Sequence, residues 1–550
     1  MSENLSELLG RKGVKINLFE ELGITASDEG TVSIEEMDRL AKEFLVGKAN
    51  VYGSVSFYDF LKPQNQGKKV YICNGSACLT SGTQERLKEQ LQTHYKADEI
   101  GEMCCMGRCH ENASFHANGY NYSGKAIDHF KEWVEEGITQ DDAYHVESHG
   151  TAILTSSPYK ADFYSDLWDE VLEHEPAHWL SQIQQSGLRG RGGAWFPIAV
   201  KLEACRKMGS DLKFIVCNAD EGDPGAYSDR YLCEKQPMLV LLGMMIAGYV
   251  AGAEWGVIYI RAEYPDSIHI IEKEIEKLRN LGCLGRNIRG SGFSFDFKVI
   301  RAQGAYICGE ETALLSSIEG QRPEVRIRPP YPVEKGLFNK PTVVNNVETL
   351  ACLPWIIKEG GEKFSSIGKG LSKGTKLLSL DGFFQHPGIY EVDLGTPLDV
   401  VIYDLAGGFK ESIKAMHIGG PLGGLVPVLK TKDLTVDFES FAQQGFLLGH
   451  GSVVCIPEDF PLINYLEHLF EFTAHESCGK CFPCRLGSVR GYEMINKSIH
   501  SDYKMDRNLM DDLLETLETG SLCALGGGLP LPIKNALQYF QKELNPYFTG

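Results

Sequence analysis

Apolar residues recur along the chain at two periods, and the changes from one period to the other divide it into regions. Residues 34–45 (IEEMDRLAKEFL) place apolar side chains at helical spacing, and residues 1–65 read as a short helical segment closed by the polar run 62–67. Residues 69–74 (KVYICN) predict a buried strand, and 81–93 an amphipathic helix. Residues 113–124 predict a hairpin, because Asn118-Gly119 suits a type I′ turn. With 127–136 these elements make a small α/β unit over 66–140, and the charged, irregular stretch 138–160 reads as a linker. Over 161–365, strand-like runs at 213–218, 257–261 and 296–302 alternate with helical ones, which is the signature of a layered α/β domain. Short strands punctuated by Gly and Pro over 373–450 predict a small β-rich domain, and 455–545 is mostly helical.

One run needs separate treatment. Residues 238–253 (MLVLLGMMIAGYVAGA) carry no charge, but the run stops at Glu254 and contains recurrent glycines. Spanning a bilayer takes about 18 or more apolar residues, so a buried helix followed by a strand at 255–261 is the expectation, with no direct membrane span. The N-terminus lacks the apolar core of a signal peptide, which points to a cytoplasmic protein. A length of 550 residues fits three or four domains, and a net charge of −20 argues against nucleic acid as partner. The unusual count is 16 cysteines, which in such a chain more often hold metal than form disulfides.

Eight of them fall into two sets. Cys73-x4-Cys78 is followed, after 26 intervening residues, by Cys105-x3-Cys109. Cys73 follows a predicted strand and Cys78 precedes a predicted helix, so two loops at one end of the unit would gather four thiolates, as a [2Fe–2S] cluster requires. Zinc is the alternative metal. Cys104-x4-Cys109 fits the same geometry. The second set is Cys478-x2-Cys481-x2-Cys484 with Cys523 further on, the spacing of a [4Fe–4S] site, since three close ligands wrap a cubane and a remote fourth completes it. Lys480 and Arg485 would offset thiolate charge there or sit on a solvated face. The other eight cysteines occupy mainly apolar surroundings, where core packing is the default.

Between the sets lies a glycine-rich loop, GLRGRGGAWFP at 187–197, feeding a helix that contains Lys201. Its glycines allow close backbone approach to a flat or phosphorylated ligand, and its two arginines and Lys201 add positive charge. A predicted strand ends in Asn218-Ala219-Asp220-Glu221, at the strand terminus where open α/β sheets bind ligands. A third loop, GAYICGEET at 304–312, again follows a strand. Helix-terminus complementation is the structural alternative for Glu310 and Glu311, and helix capping for Asn345 and Asn346.

RGRGGAWFP, CNADEGDPGAYSDR, GAYICGEETALLSSIEGQRP, KPTVVNNVETL and ESCGKCFPCRLG…SLCALGGG together resemble the NADH-binding flavoprotein subunit of respiratory complex I. That family also includes the diaphorase subunits of NAD-coupled hydrogenases and formate dehydrogenases. The resemblance covers about residues 160–545. Residues 50–135, with VYGSVSFYDF, resemble the thioredoxin-fold [2Fe–2S] partner subunit, fused here in front, and the family pattern selects Cys105 over Cys104. The implied fold is α/β multidomain: a thioredoxin-like [2Fe–2S] domain, an α/β FMN/NADH domain, a small β-grasp-like domain and a C-terminal helical bundle with [4Fe–4S].

The resemblance implies FMN held by Gly190, Arg191, Gly192, Gly193, Lys201, Asn218, Asp220, Tyr306, Gly309, Asn345 and Asn346. It implies NADH stacked near Phe196, with Glu221, Glu310 and Glu311 around its polar groups. No side chain need act as acid or base, because the cofactor carries the hydride chemistry. Two residues depart from the family pattern, which usually has Gly in place of Trp195 and an aromatic in place of Ala204. Trp195 is expected to supply the stacking absent at 204, or else to point into the core. Clustered carboxylates at Glu221, Glu310 and Glu311 predict a preference for NADH over NADPH. The fusion favours a hydrogenase or formate dehydrogenase complex, electron-bifurcating or not, with further iron–sulfur subunits. A fused complex I-type subunit and a flavin-free electron-relay or scaffold subunit are the competing readings.

Overall fold

The apolar runs FIVCNA, WGVIYI, DFKVIR and TVVNN pair as strands Phe214–Ala219, Trp255–Ile260, Asp296–Arg301 and Thr342–Asn346 in a computed structural model that describes residues 3–29, 31–156 and 161–549. All three pairings are parallel, and Phe214–Ala219 lies between Trp255–Ile260 and Thr342–Asn346. Strands this apolar need both faces covered. Ile215, Cys217, Ile258 and Ile260 face a core that includes helix Pro237–Ala251. The alternating set Phe214, Val216, Val257 and Tyr259 faces the N-terminal helices Leu18–Glu29, Ile34–Glu43 and Lys48–Val55.

The N-terminal block therefore forms the sheet's second layer. The Phe19 and Tyr259 rings stack at 6.2 Å, Ser54 Oγ donates to the Gly320 carbonyl at 3.0 Å, and Tyr58 OH donates to the Gln321 carbonyl at 3.0 Å. Helix Pro237–Ala251 is buried nearly all round and ends at Gly252, whose left-handed φ of 73° closes the last turn. Among the described residues no helix is long and apolar enough to cross a membrane.

A second sheet has the order Ile100–Met103, Val70–Cys73, Ser114–Ala117, Tyr120–Ser123. Its hairpin turns at Asn118 (φ 52°) and Gly119 (φ 80°), the two positive angles a type I′ turn requires. The third sheet runs Gly424–Pro427, Ile413–Ile418, Ser452–Pro457, Thr375–Leu380, Gly388–Asp393, His145–His149. Its last strand lies inside the stretch read as a linker. His145–His149 pairs in parallel with Gly388–Asp393 as an exposed polar edge, so backbone hydrogen bonds hold it and hydrophobic patterning gives no sign of it. The chain just after it is anchored by buried Glu391, whose carboxylate accepts from the Ile153, Leu154 and Thr155 amides at 2.8–3.0 Å. Helices Leu462–Glu476, Phe482–His500, Arg507–Gly520 and Pro530–Tyr539 complete the chain.

Candidate nucleotide cleft and its two cysteine sets

Three strands of the parallel sheet end on one cleft. Phe214–Ala219 delivers Asn218 and Asp220, Thr342–Asn346 delivers Asn345 and Asn346, and the loop after Asp296–Arg301 delivers Tyr306 and Gly309. Asn218 Nδ2 donates to the Gly309 carbonyl at 2.8 Å and Asn218 Oδ1 accepts from the Asp220 amide at 3.1 Å, which ties two of these loops together. The glycine-rich loop closes over them, with Gly190 N donating to the Phe196 carbonyl at 2.9 Å. A Cβ on Gly192 would stand 2.9 Å from Asn346 Cβ, and Gly193 has φ 105°, so neither position suits a side chain. Asp220 Oδ2 and Asn345 Nδ2 are buried without a hydrogen-bond partner in this cleft lining. Burial holds the Asp220 carboxyl well above the usual carboxylate range. Orphaned buried polar atoms beside a side-chain-free loop fit a polar, flat ligand such as FMN.

The charged residues are less available than their sequence pattern implied. Lys201 Nζ bonds Glu311 at 3.1 Å and the Val344 carbonyl at 3.0 Å, and Arg328 reaches Glu311 at 2.9 Å. Glu310 caps helix Glu311–Ile318, accepting from the Thr312 and Ala313 amides at 2.9 Å. Glu221 is fully buried and accepts from the Asp229 and Arg230 amides at 2.9 and 3.0 Å, so it is pinned under helix Ser228–Lys235 and is not presented to a dinucleotide. Arg191 is buried to 0% exposure and donates to the Arg189 carbonyl at 3.3 Å and to the Lys373 carbonyl. Arg189 pairs with Glu439 at 2.6 Å. Both arginine side chains thus fasten the loop to the β-rich unit, which leaves the loop's backbone, not its arginines, for a phosphate.

Trp195 has φ 53° and stacks on Phe438 at 4.8 Å, so its ring is engaged by the β-rich unit. The positive φ accounts for the glycine usual at this position. Phe196, 47% exposed, stands at the cleft mouth. Sequence reasoning missed Asp223 and His450. Tyr306 OH donates to Asp223 Oδ1 at 2.7 Å, and the Tyr306 amide donates to Glu476 at 2.8 Å. His450 lies 3.1 Å from Asp229 and 3.7 Å from Glu221. An acidic residue in the turn sequence GDPG, and a histidine between two glycines in LGHGS, were the available signals.

All 16 cysteines are free. Cys73 ends its strand, Cys78 sits in helix Ser76–Thr80, and Cys105 and Cys109 share one loop with their Sγ atoms 3.2 Å apart. Contact with Cys105, then burial, holds the Cys109 thiol well above its usual range. Four buried thiols gathered at one end of the unit are a donor set suited to an iron–sulfur cluster. The Gly225 amide donates to Cys109 Sγ at 3.2 Å, so the loop leaving Asp220 touches this set directly. In the second set Cys481 directly precedes helix Phe482–His500, Cys484 lies in its first turn, and Cys523 directly precedes helix Ala524–Gly528. Burial, with the neighbouring thiols adding to it, pushes Cys484 up to about 11 and Cys523 up to about 12. Arg322 of the α/β unit donates to the Cys478 carbonyl at 3.2 Å. Both sets therefore border the same α/β unit. Lys480 faces Glu324 at 3.8 Å, and Arg485 lies over the Phe482 ring at 4.8 Å.

Three family models match the chain: a Nuo51 FMN-binding domain over residues 183–355, an NADH-ubiquinone oxidoreductase-F iron-sulfur binding region over 464–547, and a thioredoxin-like [2Fe-2S] ferredoxin over 10–136. The chain is 42% identical to the NADP-reducing hydrogenase subunit HndC of Solidesulfovibrio fructosivorans, over 68% of this chain and 76% of that one. It is 31% identical to the NAD-reducing hydrogenase HoxS subunit alpha of Cupriavidus necator, over 98% of this chain and 93% of that one. A crystal structure of an NAD+-reducing [NiFe]-hydrogenase superposes with a TM-score of 0.82 at 26% identity, covering 96% of this chain and 93% of the matched chain.

Proposed function

The chain belongs to the FMN- and iron–sulfur-containing NADH oxidoreductase family of complex I F-type subunits and hydrogenase diaphorases, fused to a thioredoxin-like [2Fe–2S] domain, and from that premise we propose that it exchanges electrons between NAD(H) and a hydrogenase. The observation that carries the reading is the cleft itself, in which loops from three strand ends meet beneath a glycine loop and adjoin a cysteine set on either side. FMN in the cleft would supply the two-electron to one-electron conversion. The protein's part is to hold and orient. The loop's glycines would let backbone approach the ring system, and Asp220 and Asn345 would supply polar contacts from their orphaned atoms. Asn218 and Asn346 brace the lining through Gly309 and Asp229, and Phe196 would offer an exposed aromatic face for nicotinamide. Cys73, Cys78, Cys105 and Cys109 would hold the [2Fe–2S] cluster, and Cys478, Cys481, Cys484 and Cys523 the [4Fe–4S] cluster. Two named relatives are hydrogenase subunits, which favours that class of partner over a formate dehydrogenase.

NADH is the proposed substrate form. A 2′-phosphate needs an uncommitted cation, whereas Lys201 is bound to Glu311, and Arg328 bridges Glu311 and Glu310. The test is purification of the full chain with its co-purifying subunits. Flavin absorbance, NADH-dependent dye reduction and H2-dependent NAD+ reduction are expected. A chain free of flavin would turn the reading to a relay or scaffold subunit.

A further inference from the structure

Against the glycine loop lies a buried charged cluster of Asp229, His450 and Glu221, which shares Asn346 with the cleft lining. A Cβ on Gly193 would stand 3.7 Å from Gly449 and 3.9 Å from the His450 amide nitrogen. Asn346, which backs Gly192, donates from Nδ2 to Asp229 Oδ2 at 2.6 Å, and His450 Nε2 meets the same oxygen at 3.1 Å. Glu221 closes the group at 3.7 Å from His450. Two of its polar atoms, His450 Nδ1 and Asp229 Oδ1, are buried with no hydrogen-bond partner. We propose that His450, held by Asp229 and facing Glu221, carries a positive charge that favours the reduced form of a flavin seated in the loop in front of it.

The inference rests on the reading of the cleft as an FMN site, and its physical basis is charge compensation. A hydride from NADH carries two electrons and one proton, so it would leave the flavin with one more negative charge and NAD+ as the oxidised product, and a fixed cation in a poorly solvated surrounding lowers the energy of that form. The facing groups are Asp229 on helix Ser228–Lys235, Glu221 and Asp223 in the loop after strand Phe214–Ala219, and Lys376 on strand Thr375–Leu380, itself bonded to buried Glu348. Tyr264 OH also reaches Glu221, at 3.2 Å, and Arg261 donates to the Glu221 carbonyl. Burial works to lower the His450 pKa, but Asp229 and Glu221 outweigh it and raise it to about 9. Burial, and then Asp229, raises Glu221 to about 7. Below neutral pH His450 is the imidazolium and Glu221 the neutral acid. Above about pH 9 the imidazolium has lost its proton.

His450→Gln removes the charge and keeps an amide donor. The full chain with its flavin and clusters is titrated spectroelectrochemically at pH 6 and pH 10 beside wild type. At pH 6 the variant's reduced flavin should be disfavoured about tenfold, a potential about 30 mV lower for the two-electron couple. By pH 10 the two proteins should converge, because wild type has by then lost the same charge. No difference at pH 6, or one that persists at pH 10, overturns the proposal, since a purely structural role would shift both pH values alike. His450→Asn gives the same comparison if Gln is not accommodated. A wild-type chain without flavin overturns the functional reading and this inference with it. Retained flavin without the converging offset overturns this inference alone.

Discussion

Lys201, Glu311 and Arg328 form a chain of ion pairs at the cleft mouth, with N–O distances of 3.1 and 2.9 Å and side chains between a fifth and a third exposed. Pairs this wet contribute little stability, on the order of 0.2–1 kcal/mol. Their consequence is availability, because a cation bound to a carboxylate is not free for a phosphate. Glu311→Gln should remove the ion-pair partner of Lys201 and the nearer of the two carboxylates that hold Arg328, and the NADH:NADPH ratio of kcat/KM is expected to fall about tenfold, equivalent to about 1.4 kcal/mol; an unchanged ratio would show that selectivity lies elsewhere. At this scale the sequence was legible for backbone and ligand chemistry and poorly legible for charged side chains. Glycines mark places where a side chain cannot stand, as Gly192 against Asn346 shows. The sequence pattern places Arg191 and Glu221 at a ligand and leaves Trp195 between stacking and the core, whereas the three are taken up by two carbonyls, by two amides and by Phe438. A long side chain has several partners within reach, and only the packed neighbours decide among them.

Helix Pro237–Ala251 shows what an element does for the cleft. A Cβ on Gly243 would come within 2.0 Å of the Leu350 carbonyl oxygen, so this glycine is where the helix lies against helix Val347–Ala351. The second helix starts directly after Asn345 and Asn346, and it is capped by the Asn346 side chain, which accepts from the Glu348 amide at 2.9 Å. Gly243→Ala should force the two apart, costing about 1–3 kcal/mol of overpacking and displacing both asparagines. Lower thermal stability together with reduced flavin content per chain is the expected result, and lowered stability with full flavin retention would separate the helix contact from the site. The central strands and this helix were legible because burial on both faces imposes a strong apolar signature. The edge strand His145–His149 was not, since a mostly exposed strand held by its backbone needs no such pattern.

At the scale of the whole molecule, the α/β unit is the common neighbour of both cysteine sets, through Gly225 on one side and Arg322 on the other. On the proposed function, electrons arriving in the cleft would have a bordering acceptor on each side, and damage to one should spare the other. Cys523→Ser is expected to abolish the [4Fe–4S] signal by electron paramagnetic resonance, while the [2Fe–2S] signal and bleaching of the flavin by NADH persist. Loss of all three would mean that the helical unit is required for folding of the rest. The sequence by itself marked the two cysteine sets and the glycine loop, because each depends on residue types at short spacings that local geometry fixes. Only the tertiary structure decided that the N-terminal helices form the second layer of the parallel sheet, that residues 145–149 join a strand more than 200 residues away, and that His450 stands beside Asp229 and Glu221. Those contacts join residues far apart in the chain, and they exist because each buried face and each buried charge must find a partner somewhere in the fold.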